Sequence, residues 1–461
     1  MAGSASRFLA PLAWVGGAWA SDVLLEAGDD GLWRSVTPNA PAELQRTATR
    51  LAGPVIPGLV NAHSHAFQRA IAGLTERRGS TGSDDFWSWR DRMYSAANRI
   101  TPAQLEAIAA QLYSEMLAGG YTHVCEFHYL HNDVSGQPYA DPLEMPLALV
   151  RAARRAGIGL TLLPTLYMRA GFGAAGLRQD QRRFASTPEG ILRVVEGVND
   201  SGAGGGLVNA GVALHSLRAV DVAALTDMAV LAKEAGLPVH IHIAEQVQEV
   251  NDCLAWSGKR PIEWLLEQAA IDARWNLVHA THTTAAELQG VRDAGAAIVI
   301  CPNTEANLGD GVFDLPGFAQ RHGNWSIGSD SHVTRCAMEE LRLLEYSQRL
   351  SLRRRNVASH ADGRADTAGA LFDSALAGGE AAASLPVGGI AAGRRADFAV
   401  VDAASPALLG IPAASLMDAM VFSAPAARLA DVYVAGRRVS ALGREPEIAE
   451  DFTRAMKALW A

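Results

Sequence analysis

The chain has 461 residues and a formal net charge of −9. Apolar residues make up 49% of it and charged residues 19%, which excludes a disordered chain or a coiled coil and provides a large core. The acidic balance indicates neither a nucleic-acid nor an anionic-membrane partner. The four cysteines are far apart and suit no disulfide framework, so we expect reduced thiols in a cytoplasmic protein.

The first 20 residues imitate a signal peptide, since they contain one arginine, an apolar stretch and a final A-W-A. Pro11 and the Gly16-Gly17 pair interrupt the apolar stretch, however. We therefore predict a first β-strand that turns at the two glycines into a second strand. Since no long run of apolar residues is uninterrupted, no membrane-spanning helix is expected.

Two kinds of pattern divide the rest of the chain. Short β segments with frequent glycines occupy about 9–50 and 390–440, whereas apolar β runs alternate with helical stretches between them. Eight strands are predicted in the middle region, at 55–63, 122–127, 159–166, 211–215, 238–243, 276–280, 297–301 and 325–329. This alternation predicts an α/β fold, a (β/α)8 TIM-like barrel over residues 55–385. We expect residues 1–54 and 386–461 to form one small, discontinuous β-sandwich domain.

Histidine and aspartate stand at several predicted strand ends, where such barrels carry their functional groups. His63 and His65 end the first strand, His242 the fifth, and Asp330 the eighth. Residues i and i+2 of a strand face the same side, so His63 and His65 can share one metal ion. Two histidines in a turn would show the same H-x-H pattern, but the other two strand ends favour a metal site. Three imidazoles and a carboxylate suit a divalent ion, most simply Zn²⁺, with Fe²⁺ as the alternative.

His240 shares a strand face with His242, so one of the two must be chosen as the ligand. We choose His242 because it is nearer the strand end and stands in H-x-x-E with Glu245. His240 is expected to be a core histidine.

Lysine is scarce, and this bears on the number of metal ions. Two-metal barrels of this kind commonly bridge their ions with a modified lysine on an inner strand. The three lysines of the chain lie away from the predicted strand ends, at Lys233, Lys259 and Lys457. We therefore predict one metal ion per chain.

Several motifs, in order along the chain, resemble those of the amidohydrolase superfamily. They are P-G-L-V-N-A-H-S-H (57–65), H-I-A-E (242–245), H-A-T-H (279–282) and G-S-D-S-H (328–332). F-W-S-W-R-D-R-M-Y (86–94) and A-L-H-S-L-R-A-V (213–220) are similar to members that hydrolyse N-formimino-L-glutamate in histidine degradation. The resemblance implies a metal-dependent barrel that releases ammonia from a formimino group and leaves N-formyl-L-glutamate. It also implies a homodimer.

Three residues are expected to perform the chemistry. Asp330 would contact the metal and accept a hydrogen bond from the attacking water, and His279 would orient or deprotonate that water. Glu245 would pass a proton to the leaving nitrogen. The sequence leaves the division of proton transfer between His279 and Asp330 open.

A substrate with two carboxylates calls for two arginines, because a guanidinium binds a carboxylate through two hydrogen bonds. Arg218 follows the fourth predicted strand, and Arg90 lies among aromatics in the long segment after the first. Gln68, Tyr129 and His215 are further candidate substrate-binding residues. An arginine in an aromatic loop is often only a surface residue, and Arg90 could also serve a neighbouring subunit's site.

Two other functions share these features. Another aminohydrolase of the superfamily, acting on a purine, pterin or triazine ring, would have the same metal site but stacking aromatics in place of the two arginines. A non-catalytic assembly protein could keep the barrel, but it would lose metal ligands. Because every expected ligand is present, we favour the enzyme.

Overall fold

The computed structural model describes residues 6–77, 86–201, 206–424, 429–439 and 445–461. Its strands are β1 (Ser6–Val15), β2 (Ala18–Ala27), β3 (Trp33–Thr37), β4 (Thr49–Arg50), β5 (Val55–Pro57), β6 (Leu59–Ser64), β7 (Tyr121–His128), β8 (Gly159–Leu166), β9 (Val208–Ala210), β10 (Val212–Ser216), β11 (Val239–Ile243), β12 (Trp275–His279), β13 (Ala297–Ile300), β14 (Asn324–Ile327), β15 (Phe398–Val401), β16 (Leu429–Val434) and β17 (Arg437–Val439).

Helices fill the segments between the later strands. They are α1 (Ala42–Gln45), α2 (Phe86–Ala97), α3 (Pro102–Ala118), α4 (Glu144–Ala156), α5 (Pro188–Asp200), α6 (Val222–Glu234), α7 (Val247–Ser257), α8 (Pro261–Gln268), α9 (Ala285–Asp293), α10 (Pro302–Leu308), α11 (Leu315–Ala319), α12 (Ala337–Leu352), α13 (Val357–Asp362), α14 (Thr367–Ala383), α15 (Leu416–Phe422) and α16 (Pro446–Trp460). Short 3-10 helices occupy Ala66–Ala70, Gln179–Phe184 and Ala413–Ser415. Within the described residues, no helix has both the length and the hydropathy that a membrane crossing needs.

The two ends of the chain form one eight-stranded sheet in the order β17-β16-β15-β5-β1-β2-β3, with β4 beside β1. Val15 pairs with Ala18 across the β1–β2 hairpin, which confirms the predicted turn at the two glycines. The rings of Phe398 and Tyr433 stack 4.3 Å apart, and Phe8 packs edge-on against Phe398 at 5.3 Å. Aromatic residues from both ends thus build the core of this small sheet.

Eight parallel strands form the predicted (β/α)8 barrel, in the order β6-β7-β8-β10-β11-β12-β13-β14. Every residue of β7 and of β8 is buried, as expected when a helix covers one side of a strand and the barrel interior the other. The barrel closes where the Asp330 backbone N–H donates to the His63 carbonyl at 3.0 Å. Gly328 permits this approach, because a Cβ there would lie 2.9 Å from the His63 backbone nitrogen and oxygen.

The prediction of a single strand over 55–63 is wrong, because this segment forms two strands that belong to different sheets. β5 pairs with β1 and β15 in the small sheet, and β6 begins the barrel after Gly58. The apolar run continues through both, so periodicity alone could not reveal the change of sheet. The division at residues 55 and 385 stays a prediction.

The long segment after the first barrel strand, about 69–100, is predicted to be a lid or binding loop. Residues 78–85 of it lie outside the described residues. The described remainder includes α2, which carries Arg90.

Candidate active site

Four predicted metal ligands converge at the carboxyl ends of the barrel strands. His63 Nε2 lies 3.1 Å from His65 Nε2 and 3.0 Å from His242 Nε2. Asp330 Oδ1 lies 3.4 Å from the Nε2 atoms of both His63 and His65. All four side chains are buried. The strand ends therefore bring three imidazoles and one carboxylate to a single point.

Hydrogen bonds to backbone carbonyls fix the tautomers of two of these imidazoles. His65 Nδ1 lies 2.9 Å from the Phe127 carbonyl oxygen, and His242 Nδ1 lies 2.8 Å from that of His215. A carbonyl oxygen only accepts, so each Nδ1 carries the hydrogen and each Nε2 presents a lone pair to the cluster.

The three imidazoles are suited to hold a cation. Burial, with smaller contributions from neighbouring imidazoles, lowers the pKa values of His63, His65 and His242, so their rings are neutral. The lone pairs of His65 Nε2 and His242 Nε2 point at His63 Nε2 from about 3 Å, and three nitrogens with one carboxylate are a donor set of zinc-like ions. His240 lies apart from this cluster, since its Nε2 contacts the Ala382 carbonyl at 2.9 Å.

Glu245 and His279 face each other beside the ligands. His279 Nε2 lies 3.7 Å from Glu245 Oε1 and 3.9 Å from Asp330 Oδ2. Burial raises the pKa of Glu245 to about 7. Burial alone would lower the pKa of His279, but the Glu245 carboxylate and hydrogen bonds to Cys301 and Glu305 raise it well above its ordinary value. The pair can therefore hold a proton between acid and base at neutral pH.

Glu305 is a residue of the site that the sequence interpretation missed. Its Oε1 lies 3.3 Å from His279 Nδ1 and accepts the Cys301 backbone N–H at 2.9 Å. A carboxylate behind Nδ1 fixes the ring orientation and directs Nε2 towards Glu245 and Asp330. The only sequence signal is its place in C-P-N-T-E (301–305), which begins at the last residue of the seventh predicted strand.

Strained backbone concentrates at the same strand ends. Ala244, His279, Asp330 and His332 have φ values of 52°, 69°, 46° and 66°, in the left-handed region that side chains with a Cβ rarely adopt. Hydrogen bonds restrain them, including that of His332 Nε2 to the His65 carbonyl at 2.9 Å. Such strain is typical of functional sites, where a fixed geometry outweighs its energetic cost.

All five predicted substrate-binding residues line one pocket together with Glu245, His279 and three of the four predicted ligands, His65, His242 and Asp330. The five residues are Gln68, Arg90, Tyr129, His215 and Arg218. Five further lining residues were not predicted, namely Phe86, Trp89, Met93, Tyr94 and Leu308. Arg90 thus faces the pocket of its own chain.

The two arginines have no acidic partner within 4 Å among the described residues, and the Nε atoms of both are buried without a hydrogen-bond acceptor. Their guanidinium carbons lie 4.4 Å (Arg90) and 5.7 Å (Arg218) from the Trp87 ring centroid. Burial, with the nearby charge of Arg218, lowers the pKa of Arg90. The two guanidinium groups are therefore positioned to bind an anion in this pocket.

Gln68 and Tyr129 line the same pocket, and Tyr129 contacts one of the predicted ligands. Gln68 Nε2 donates to the Tyr129 hydroxyl at 3.4 Å, and the Tyr129 ring packs edge-on against His65 with centroids 5.2 Å apart. His215 contacts the Tyr167 ring, with centroids 4.2 Å apart. Gln68, Tyr129 and His215 thus contribute polar groups to the lining of the pocket.

Comparisons with known proteins agree with this geometry. Residues 55–439 match the Amidohydrolase family. The chain is 47% identical over 428 residues to the formimidoylglutamate deiminase of Pseudomonas aeruginosa, covering 92% of both proteins. It is 27% identical over 354 residues to a 5-methylthioadenosine/S-adenosylhomocysteine deaminase of Halobacterium salinarum, covering 77% of the chain and 74% of that protein.

Solved structures lead to the same family. A crystal structure of an amidohydrolase from Brucella melitensis superposes with a TM-score of 0.91 at 43% identity, covering 99% of this chain and 100% of that one. A zinc-bound adenosine deaminase from Xanthomonas campestris shares the fold, with a TM-score of 0.80 at 20% identity over 98% of both chains. The ligand geometry, the matched residues and these relatives establish that the chain belongs to the amidohydrolase family.

Proposed function

We propose that the chain hydrolyses the formimino group of N-formimino-L-glutamate, giving N-formyl-L-glutamate and ammonia in histidine degradation. The observation that carries this proposal is the pair of arginines without acidic partners, Arg90 and Arg218, in the pocket that holds the metal ligands. The 47% identity to the deiminase of Pseudomonas aeruginosa supports the same substrate.

Charge balance favours a dicarboxylate over a neutral ring. Two guanidinium groups in a partly closed pocket need compensation, and each binds a carboxylate through charge-assisted hydrogen bonds. N-formimino-L-glutamate supplies one carboxylate for each guanidinium group, whereas a neutral purine, pterin or triazine ring supplies none.

We propose zinc as the metal, one ion per chain, held by His63, His65, His242 and Asp330. A divalent ion of this kind lowers the pKa of a bound water to about 7 and supplies hydroxide at neutral pH. The hydrogen bonds from the Nδ1 atoms of His65 and His242 to backbone carbonyls keep these ligands oriented before the ion arrives.

The chain's own residues move the protons. The reaction starts with the shared proton of the Glu245–His279 pair on Glu245, so His279 is neutral. Oriented by Glu305 and next to Asp330, His279 accepts a proton from the attacking water, whose oxygen forms a bond to the formimino carbon. The electron pair of the C=N bond moves to the terminal nitrogen, and Glu245 gives that nitrogen a proton. His279 passes the proton that it took from the water to the same nitrogen, the bond from carbon to this nitrogen breaks, and ammonia leaves. The hydroxyl proton returns to Glu245 and leaves the formyl C=O.

We further propose that the protein is a cytoplasmic homodimer without nucleic-acid or membrane partners. The four cysteines are unpaired in the described structure, which supports a reducing compartment. The net charge of −9 gives no attraction to nucleic acid.

Hydrolysis in ¹⁸O-labelled water tests the proposed reaction. We expect one ammonia per substrate and one ¹⁸O atom in the formyl group of N-formyl-L-glutamate, measured by mass spectrometry. Formamide and unlabelled glutamate would contradict the proposal, since they require cleavage of the other C–N bond. The absence of any product from folded, zinc-loaded protein would exclude this substrate.

A further inference from the structure

Gln181 joins two tyrosines at the arginine end of the pocket. It lies in the 3-10 helix Gln179–Phe184 and is fully buried. Its Nε2 donates to the Tyr167 hydroxyl at 2.9 Å and to the Tyr94 hydroxyl at 3.3 Å, and the two hydroxyl oxygens lie 3.4 Å apart. Tyr94 comes from α2 and lines the pocket.

The orientation of the Gln181 amide is fixed from the other side. The backbone N–H of Arg178 donates to Gln181 Oε1 at 3.0 Å, so a flip of the amide would place two donors face to face. The NH₂ group therefore points at the tyrosines, and both hydroxyl oxygens act as acceptors.

Among the Gln181 amide and the two tyrosine hydroxyls, one hydrogen remains without an acceptor. The amide gives one N–H to each hydroxyl oxygen, and one tyrosine can donate its own O–H to the other. Burial raises the pKa of Tyr167 well above its ordinary value, so this hydroxyl keeps its proton. Among the described residues, no carboxylate or carbonyl oxygen accepts a hydrogen bond from the Tyr94 hydroxyl. The bond between the two hydroxyls can run in either direction, but Tyr94 lines the pocket and Tyr167 is not among its lining residues. With Tyr167 as the donor to Tyr94, the Tyr94 hydrogen is available to a group in the pocket.

Two guanidinium groups lie near the Tyr94 ring, and among the described residues only one of them, that of Arg178, is paired with a carboxylate, that of Asp180 at 2.7 Å. The Arg90 guanidinium carbon lies 5.6 Å from the Tyr94 ring centroid, and Arg90 Nε is buried without an acceptor. A neutral donor next to such a group suits a carboxylate, which accepts several hydrogen bonds at once and binds charged donors most strongly.

We propose that the Tyr94 hydroxyl donates a hydrogen bond to the substrate carboxylate that Arg90 binds, with Gln181 and Tyr167 as positioning residues that direct it. This inference rests on the proposed dicarboxylate substrate. In this proposal, the hydrogen-bonded residues Gln181, Tyr167 and Tyr94 help the pocket to distinguish a carboxylate from an amide.

Kinetics of Tyr94→Phe with three substrates test the proposal. They are N-formimino-L-glutamate and its two analogues in which either the α- or the γ-carboxylate is replaced by an amide. We expect KM for the parent to rise about tenfold or more with kcat nearly unchanged, as for loss of a hydrogen bond to a charged group. For one of the two analogues, wild type and variant should have the same KM, since the carboxylate that Tyr94 contacts is gone.

Two further variants separate recognition from folding. Gln181→Met should raise KM for the same substrates as Tyr94→Phe, whereas a general loosening of the pocket would raise KM for all three. Tyr346→Phe, at a partly exposed tyrosine in α12, is the matched control and should behave as wild type. An unchanged parent KM in Tyr94→Phe, or an equal rise for all three substrates, would overturn the inference.

Glutarate binding, measured by calorimetry on zinc-loaded protein, separates this inference from the proposed reaction. If wild type binds glutarate but does not turn over the parent substrate, and Tyr94→Phe binds glutarate about tenfold more weakly, the reaction is wrong and the inference holds. If wild type turns over the substrate and the variant matches it in both KM and glutarate affinity, the inference is wrong and the reaction holds.

Discussion

The Nε2 atoms of His63 and His242 lie 3.0 Å apart, although the two residues belong to the first and fifth strands of the barrel. Burial lowers the pKa of each ring, so neither is charged. The His242 nitrogen presents a lone pair at this distance, and a divalent ion would be held where the two nitrogens meet, so metal content tests the site directly.

A pair of variants in one strand tests the ligand set. His242→Asn should lower the zinc content from about one ion per chain to a small fraction of that, and should abolish activity. His240→Asn should retain the zinc, because the asparagine amide can still donate to a backbone carbonyl and this residue lies apart from the ligands. Elemental analysis of the folded proteins measures both.

Equal zinc content in His242→Asn and wild type would remove His242 from the ligand set. Loss of zinc in both variants would show only that β11 tolerates no change. The control is informative because the two histidines are two residues apart in the same strand.

Glu245→Gln removes the proposed proton donor without changing the size of the side chain. We expect kcat to fall by about 10²–10⁴, the range for loss of a general acid, with zinc content and KM nearly unchanged. Glu234→Gln, at an exposed position of α6, serves as the control. A Glu245→Gln enzyme with near-normal kcat would show that another group protonates the leaving nitrogen.

Arg218→Met removes one of the two guanidinium groups of the pocket. We expect KM for N-formimino-L-glutamate to rise about 10- to 100-fold and glutarate to lose its inhibition, because a charged hydrogen-bond partner is gone. Arg193→Met changes an exposed arginine of α5 and should leave both values as in wild type. Unchanged glutarate inhibition in Arg218→Met would exclude a carboxylate at this position.

Glu340 makes the stability of the fold dependent on pH. It is fully buried in α12, accepts the Asn303 N–H at 3.0 Å, and has its pKa raised by burial to about 8. The folded chain therefore binds this proton more tightly than the unfolded chain. The contribution of this proton to the free energy of unfolding is complete below the ordinary pKa of 4.5, and it is lost as pH rises through about 8.

In Glu340→Gln this dependence should disappear. Between about pH 5.5 and about pH 8.5, the free energy of unfolding of wild type should fall more steeply than that of the variant, by up to about 1.4 kcal/mol per pH unit. Thermal unfolding at several pH values gives the comparison. Parallel curves for the two proteins would mean that the Glu340 carboxyl is ionised in the folded chain.

The sequence predicted the parts of the site that obey a local rule. His63, His65, His242 and Asp330 stand at strand ends, and the carboxyl ends of barrel strands meet, so their convergence follows from the strand assignment. The change of sheet at Gly58 could not be predicted, because β5 and β6 are one continuous apolar run and only their distant partners distinguish them.

Contacts between residues that are far apart in the sequence could not be predicted either. Gln181 and Tyr94 are 87 residues apart, and Glu305 and His279 are 26 apart. In each case one partner lies in a loop or short helix whose path depends on packing against the rest of the barrel. The spacing of Gln181 or of Glu305 in the sequence does not indicate which residue it contacts.

Steady-state kinetics on zinc-loaded protein test the central claim most directly, by measuring ammonia release from N-formimino-L-glutamate and from a panel of purine, pterin and triazine substrates. The account predicts kcat/KM above roughly 10⁴ M⁻¹s⁻¹ for the linear substrate and far lower values for every ring. Efficient turnover of a ring compound, with none of N-formimino-L-glutamate, would contradict the proposed function and leave only the barrel and its metal site.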